Sequence, residues 1–415
     1  MARLRDRSRR QSPKNSAMRF DKTRRNVALL AVCQAFGMAN GSIAMVTAGL
    51  VGHWLLGDDK TLATLPLGLQ FLGTTLFMVP ASLISVRIGR RRGFMIGSAM
   101  GFVGGAICTW AIYEASFLLF CLGCFVMGGL FSTIMLYRFA AVDTADEKFR
   151  AKAISLVLLG GIAAAVLGPT LSRGTVDLLA PVTFAGCYAA VMVLTAIVTL
   201  VLAFLDIPPA SAEERRDTGR PLLTILRQPR AAVAMAGGAI AYAVMVLVMS
   251  ATPLAMMACN HGFNITTHVI QWHGLGMYLP SLFSGHLINR FGSLNIMTAG
   301  AVLFLGASGA ALSGIDVEYF FVALILLGVG WNFMFVGSTT LLTYAYEPRE
   351  RGKVQGFNDF LIYGSVTVSV GVSGALQNGF GWEAVNYGML PVIALALGLV
   401  LWLRVHIARE PLVAE

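Results

Sequence analysis

Residues 245 to 277 read MVLVMSATPLAMMACNHGFNITTHVIQWHGLGM, and methionine and histidine recur in them at helical spacing. Met245 and Met249 lie four residues apart, as do His273 and Met277, so on a helix each pair shares a face. Thioether sulfur is soft, uncharged and needs no deprotonation before it binds a cation, and imidazole is a borderline companion. Three thioethers and one imidazole meeting at a point would select Cu(I) over hard cations, and would release it more readily than a thiolate cage. Around the turn between the two pairs, Met256, Met257, Cys259 and His261, with His268, could catch metal and pass it on. Further back, Met38 and Met45 stand seven apart on one helix face and add two thioethers, with Asn40 between them.

Each motif alone also has a plainer meaning. Methionine fills irregular gaps in apolar helices, and a lone buried histidine can be an interhelical hydrogen bond or a proton carrier. Only the combination carries the metal reading. A second reading of the same region gives the methionines adaptable apolar contact and lets Tyr242, Trp272, Tyr278 and Phe335 stack on an organic ring. Gln34, Asn40, Ser42, Gln70 and Asn332 are polar residues that could line a shared cavity or bond between helices.

The elements that must position these residues follow from composition. With 56% hydrophobic and 13% charged residues and a mean hydropathy of +0.72, the chain is an integral membrane protein. Twelve apolar runs of membrane-spanning length recur, at about 26–50, 61–85, 94–113, 115–138, 152–172, 181–204, 231–258, 267–288, 296–313, 318–343, 352–376 and 383–403. The expected fold is all-α. Measured along the helices from the turn near Cys259 to Thr266, Met249 lies ~14 Å deep, Met245 ~20 Å, His273 ~9 Å and Met277 ~15 Å. Both pairs therefore fall toward the bilayer middle.

The net charge of +10 does not point to nucleic acid, because the basic residues collect on one side. Only Lys60 and Arg173, of the 31 lysines and arginines, fall in loops on the other side. The positive-inside rule places both termini in the cytoplasm. Arg3, Arg5, Arg7, Arg9 and Arg10 form a tail suited to anionic lipid. The first apolar run starts late and is too long for a signal peptide, so no cleaved leader is expected. Six scattered cysteines, including a CxxC at Cys121 and Cys124, read as packing rather than as a disulfide framework.

One long polar break, Asp206 to Arg230, divides the spans six and six. The expected units are a basic tail (1–25), a six-helix bundle (26–204), a linker (205–230), a second bundle (231–404) and a short tail (405–415). The halves echo one another, with Arg87-Ile88-Gly89 after span two against Arg290-Phe291-Gly292 after span eight, and RAKAIS at 150–155 against RGKVQG at 351–356. Arg87 and Arg290 are candidate gate residues on the basic side. Asp359 lies ~10 Å inside span eleven; it either binds a coupling proton or pairs with Arg87 or another arginine of the basic face. Arg138, at the end of span four, is expected to reach the interface or meet Asp143.

This arrangement resembles the major facilitator superfamily over the whole chain. Its loop pattern is incomplete here, with Ser82, Val86 and Asn289 where the family has glycine, aspartate and aspartate. The two methionine and histidine motifs carry a closer resemblance, to the CcoA-type bacterial copper importers. That resemblance implies Met245, Met249, His273 and Met277 as copper ligands, with Cys259 as an accessory thiol. It also implies import through a bacterial inner membrane by alternating access, supplying assembly of a haem-copper cytochrome c oxidase. No Walker motif or aspartyl-phosphate site is seen, so a secondary carrier is expected, not an enzyme. It would act as a monomer without a prosthetic group, with copper as cargo, membrane lipid around it and a cytoplasmic copper chaperone as a partner. The alternative is an organic-solute carrier, for riboflavin or a drug; a similar neighbouring subfamily is associated with riboflavin.

Overall fold

In a computed structural model, residues 13–58, 60–143, 153, 156–157, 159–207, 219–347 and 350–409 are described. The arginine tail, most of RAKAIS and the middle of the linker lie outside the described residues. Among the described residues all regular structure is helical. The N-terminal series is α1 (Pro13–Leu55), α2 (Leu65–Ile88), α3 (Arg90–Tyr113), α4 (Phe117–Ile134), a short α5 (Tyr137–Asp143), α6 (Gly160–Thr175) and α7 (Ala185–Leu202). After a one-turn α8 (Leu222–Leu226) come α9 (Pro229–Ala258), α10 (Phe263–Tyr278), α11 (Ser281–Phe291), α12 (Ser293–Leu312), α13 (Val317–Thr343) and α14 (Arg351–Arg409). Nine of these helices are long and apolar enough to cross a membrane.

Spans eight, eleven and twelve differ from the sequence expectation. Span eight, read as one run, is two helices, α10 and α11, because Pro280 has no N–H to continue the ladder. Spans eleven and twelve are both carried by the 59 residues of α14, which reverses at Gly381 (φ 81°, ψ −175°). Only glycine takes that backbone readily, so one residue does the work of a loop.

The internal repeat is visible in the backbone. Gly89 (φ 92°, ψ 151°) and Gly292 (φ 83°, ψ 152°) make the same turn in the two halves, joining α2 to α3 and α11 to α12. The offset that maps Arg87 onto Arg290 also maps Gly73 onto Gly276. Both are crossing points. A Cβ on Gly73 would come 2.3 Å from the Phe125 carbonyl oxygen of α4, and one on Gly276 would come 3.1 Å from the Ile325 carbonyl oxygen of α13. Facing them, a Cβ on Gly128 would lie 2.5 Å from the Gln70 oxygen, and one on Gly328 would lie 2.6 Å from the His273 oxygen. Helices without a hydrophobic drive to associate in lipid gain contact by such backbone approach. The result seats α2 on α4 and α10 on α13.

The two series meet around a central space. On the face away from the basic loops, Thr64 Oγ1 donates to the Val370 carbonyl (3.0 Å), Asn378 to the Lys60 carbonyl (2.7 Å), and Arg173 to Thr267 and Gln271 (both 3.2 Å). On the basic face, Arg138 of α5 pairs with Asp359 of α14, and the Tyr363 hydroxyl lies 2.8 Å from Met135 Sδ. Contacts at both ends bound the space between them.

A clamp ties the linker to the loop before α14. Arg220 donates through Nε and Nη2 to the two oxygens of Glu350 (2.7 and 2.6 Å) and through its backbone N–H (2.8 Å), and the Glu347 N–H adds a fourth bond (2.9 Å). These donors hold the Glu350 carboxyl far below the usual carboxylate range. A depressed acid contributes its stability above its unfolded-state value, about 4.3, and loses it as pH falls below that toward the folded value. Melting of purified protein from about pH 6 to about pH 3 is therefore expected to fall more steeply in the parent than in Glu350→Gln. Equal slopes would show that the clamp adds nothing.

Candidate functional site

The space between the two series is a cavity of about 130 Å³. Met245 and Met249 of α9, His273 and Met277 of α10, and Met38 and Met45 of α1 all line it. The two sequence pairs and the earlier methionine pair thus face one cavity from three helices. Phe71, Phe131, Tyr242, Tyr278 and Tyr363 complete most of its wall, with Ser42, Gln70 and Thr74 as further polar residues. Behind this wall Trp331 stacks on Phe335 (5.0 Å, 13°), and Tyr242 stands edge-on to both at 5.1 Å.

His273 is fully buried, and its Nδ1 lies 2.7 Å from the Leu324 carbonyl oxygen. A carbonyl only accepts, so Nδ1 carries the proton and Nε2 keeps a lone pair. Nε2 has no partner among the described residues. A ring fixed in this way is suited to ligate a metal or to accept a hydrogen bond. Gln70 is likewise buried, and its Oε1 has no partner among the described residues.

Other sequence candidates lie elsewhere. Met257 and His261 line a separate cavity, with His53, Lys60 and Trp54, on the face away from the basic loops. His261 Nε2 is bonded there to the Ile315 carbonyl (2.8 Å). Met256 is buried in the helix core, Cys259 is half-buried, and neither lines the central cavity. Asn40 is buried outside the cavity lining, and Asn332 bonds across helices to the Met277 carbonyl (2.7 Å) and Ser281 (2.6 Å). Of the proposed stacking residues, Tyr242 and Tyr278 line the cavity, Phe335 lies behind it and Trp272 is half exposed on the outer surface.

Of the two partners open to Asp359, Arg87 or another arginine of the basic face, the second is found. Asp359 pairs with Arg138, not with Arg87, which is exposed, while Asp143 pairs with Arg90 (2.9 Å). The reason is placement: Arg138 continues from α4 into the seam, whereas Arg87 ends α2 at the surface. Arg290 is also exposed and lies over the ring of Phe291 (5.3 Å). Cys108 and Cys124 bring their sulfurs to 3.8 Å, a contact with no counterpart in the CxxC spacing.

Residues 27–258 and 234–414 match the Major Facilitator Superfamily, which accounts for nearly all of the chain. The chain belongs to the major facilitator superfamily. Within this superfamily it is 42% identical over 376 residues to riboflavin transporter RfnT of Brucella anthropi, covering 90% of this chain and 94% of that protein. It is 29% identical over 403 residues to the uncharacterized MFS-type transporter YdeG of Bacillus subtilis, with 92% of each covered. Drug efflux pump JefA of Mycobacterium tuberculosis is more distant, 25% identical over 156 residues, or 36% of this chain and 30% of that one. A multi-pass membrane transporter of this superfamily is therefore established. These relatives lend no support to the copper expectation and favour the organic-solute alternative.

Proposed function

We propose that this transporter is a secondary carrier of a flavin-class organic solute, working by alternating access in a bacterial inner membrane with both termini in the cytoplasm. The observation that carries the proposal is the full-length likeness to a riboflavin transporter. The cavity supports it, since aromatic rings and flexible thioethers line most of the wall and a few buried polar groups stand among them. Sites for ring-shaped ligands have that composition. The cavity volume of about 130 Å³ is below the roughly 300 Å³ at which such sites begin. Loading therefore requires the halves to rock apart and the methionines to retract, as alternating access supplies.

A second reading, a Cu(I) carrier, is favoured by one specific observation: six methionines and His273, whose Nε2 is unpartnered among the described residues, border the same cavity. A bare ion would need no dilation. The basic loops support the proposed orientation in either case.

Uptake into proteoliposomes separates the two readings. The expected result is saturable riboflavin accumulation that silver does not inhibit, with Met249→Ala changing it by no more than several-fold. Copper accumulation without riboflavin uptake, inhibited by silver and lost in Met249→Ala and His273→Ala, would replace the first reading by the second.

A further inference from the structure

Two side chains in the cavity wall are buried with an acceptor atom left unmet, Gln70 Oε1 on α2 and His273 Nε2 on α10. Buried polar atoms without partners are uncommon, and each costs about as much as a lost hydrogen bond unless water or a ligand meets it. Their positions are related. The offset that maps Gly73 onto Gly276 and Arg87 onto Arg290 also maps Gln70 onto His273. Each stands three residues before the glycine at which its helix crosses the next one, so the fold presents them to the cavity from equivalent places in the two halves. Both are held from behind. Gly128 packs against the Gln70 backbone, Gly328 packs against that of His273, and the imidazole is anchored on Leu324.

We propose that Gln70 and His273 form the recognition pair, one acceptor from each half, which selects an uncharged ring solute bearing N–H or O–H donors on two edges. This rests on the organic-solute reading and makes it more specific. A primary amide offers an acceptor and donors side by side, so Gln70 reads an imide edge, where an N–H adjoins a carbonyl. The neutral imidazole only accepts at Nε2, so His273 takes a donor alone, a hydroxyl of a polyol chain. Cargo bonded to both ties the halves together across the cavity, and so favours the enclosed state by its differential affinity for it. The amide oxygen of Gln70 is a hard donor and contributes little to Cu(I).

The test is competition for riboflavin uptake in proteoliposomes by a flavin methylated at the imide nitrogen. In the parent the methylated compound is expected to compete about tenfold more weakly than riboflavin, the equivalent of one buried hydrogen bond. In Gln70→Met, of similar volume, KM for riboflavin rises by about the same factor and the two compounds compete equally. Gln70→Glu keeps an acceptor and retains a preference for the unmethylated ring, which covers the case in which Gln70→Met fails to fold. For the other edge, a flavin with an alkyl chain in place of the polyol competes weakly in the parent and in His273→Gln, but equally with riboflavin in His273→Leu. Riboflavin uptake with no discrimination against the methylated ring, or the same discrimination in Gln70→Met as in the parent, overturns the recognition pair alone. A parent chain that moves no flavin overturns the functional reading beneath it.

Discussion

Asp359→Asn is expected to lower transport at least tenfold and to destabilise the protein by about 2 kcal/mol, whereas Arg138→Gln does less of both. The asymmetry follows from the chemistry of the two groups. The pair joins α5 to α14 with side chains only 24% and 10% exposed, between the central cavity and the basic face. A carboxylate deprived of its cation can take up a proton and become neutral, but a guanidinium cannot lose one. Asp359→Asn therefore leaves a permanent charge in the seam beside Tyr242 and Tyr363, and Arg138→Gln leaves an acid that can neutralise itself. Breaking a buried pair typically costs 3–5 kcal/mol. The lower figure of about 2 kcal/mol used here allows for the water that can approach Arg138 and for a cavity beside Asp359 on the basic side. The double variant Asp359→Asn with Arg138→Gln should regain most of the stability, since neither charge of the pair is left without the other. It should not regain transport if the pair also closes that end of the cavity. Thermal melting in detergent and initial uptake rates measure both. A double variant as unstable as Asp359→Asn alone would show that the pair's charge balance is not what matters.

Why Arg138, and not Arg87, meets Asp359 could not be read from the residues. Both arginines sit near helix ends on the basic side, and local spacing treats them alike. The choice depends on a chain path in which α4 gives way to a short α5 turned into the seam. The all-helical membrane class was legible, because apolar length is a local property, and the repeated Arg-x-Gly motif fell where the two positive-φ glycines, Gly89 and Gly292, turn the chain. The break at Pro280 was legible in principle, since a proline ends the ladder wherever it stands. In the candidate site, helical spacing did bring Met245 with Met249 and His273 with Met277, because a shared face is also local. Convergence of Met38 and Met45 on the same cavity is a tertiary fact. So is the diversion of Met257 and His261 to another cavity, where the turn after α9 points away from the centre. Cargo identity was legible least of all. Thioethers and aromatic rings in one wall suit a soft cation and a flat solute alike, and full-length likeness to a riboflavin transporter carries information that no motif in this chain does.

Substituting Gly328 by valine should damage both stability and cargo recognition, although the residue touches no cargo. A Cβ there would lie 2.6 Å from the His273 carbonyl oxygen, 2.9 Å from the Met277 nitrogen and 3.0 Å from the Gly276 carbonyl carbon. These are backbone atoms of α10 and cannot swing aside as a side-chain end would. α10 must therefore move away from α13, at about 1–3 kcal/mol for the overpacking. The same movement stretches the bond from His273 Nδ1 to Leu324, a residue of α13, and so releases a ring that lines the cavity. KM for the transported solute should rise about tenfold, by the loss of one oriented acceptor. Gly276→Ala meets the facing helix at 3.1 Å and should cost less. Gly364→Ala, in α14 with nothing within 4 Å of its Cβ, should be neutral or stabilise by up to about 1 kcal/mol through helix propensity. Melting curves and uptake kinetics on the three variants establish the order. If Gly328→Val transported with the parent KM, the crossing of α10 and α13 would not be what orients His273, and the ring would have to be held by Leu324 and its neighbours alone.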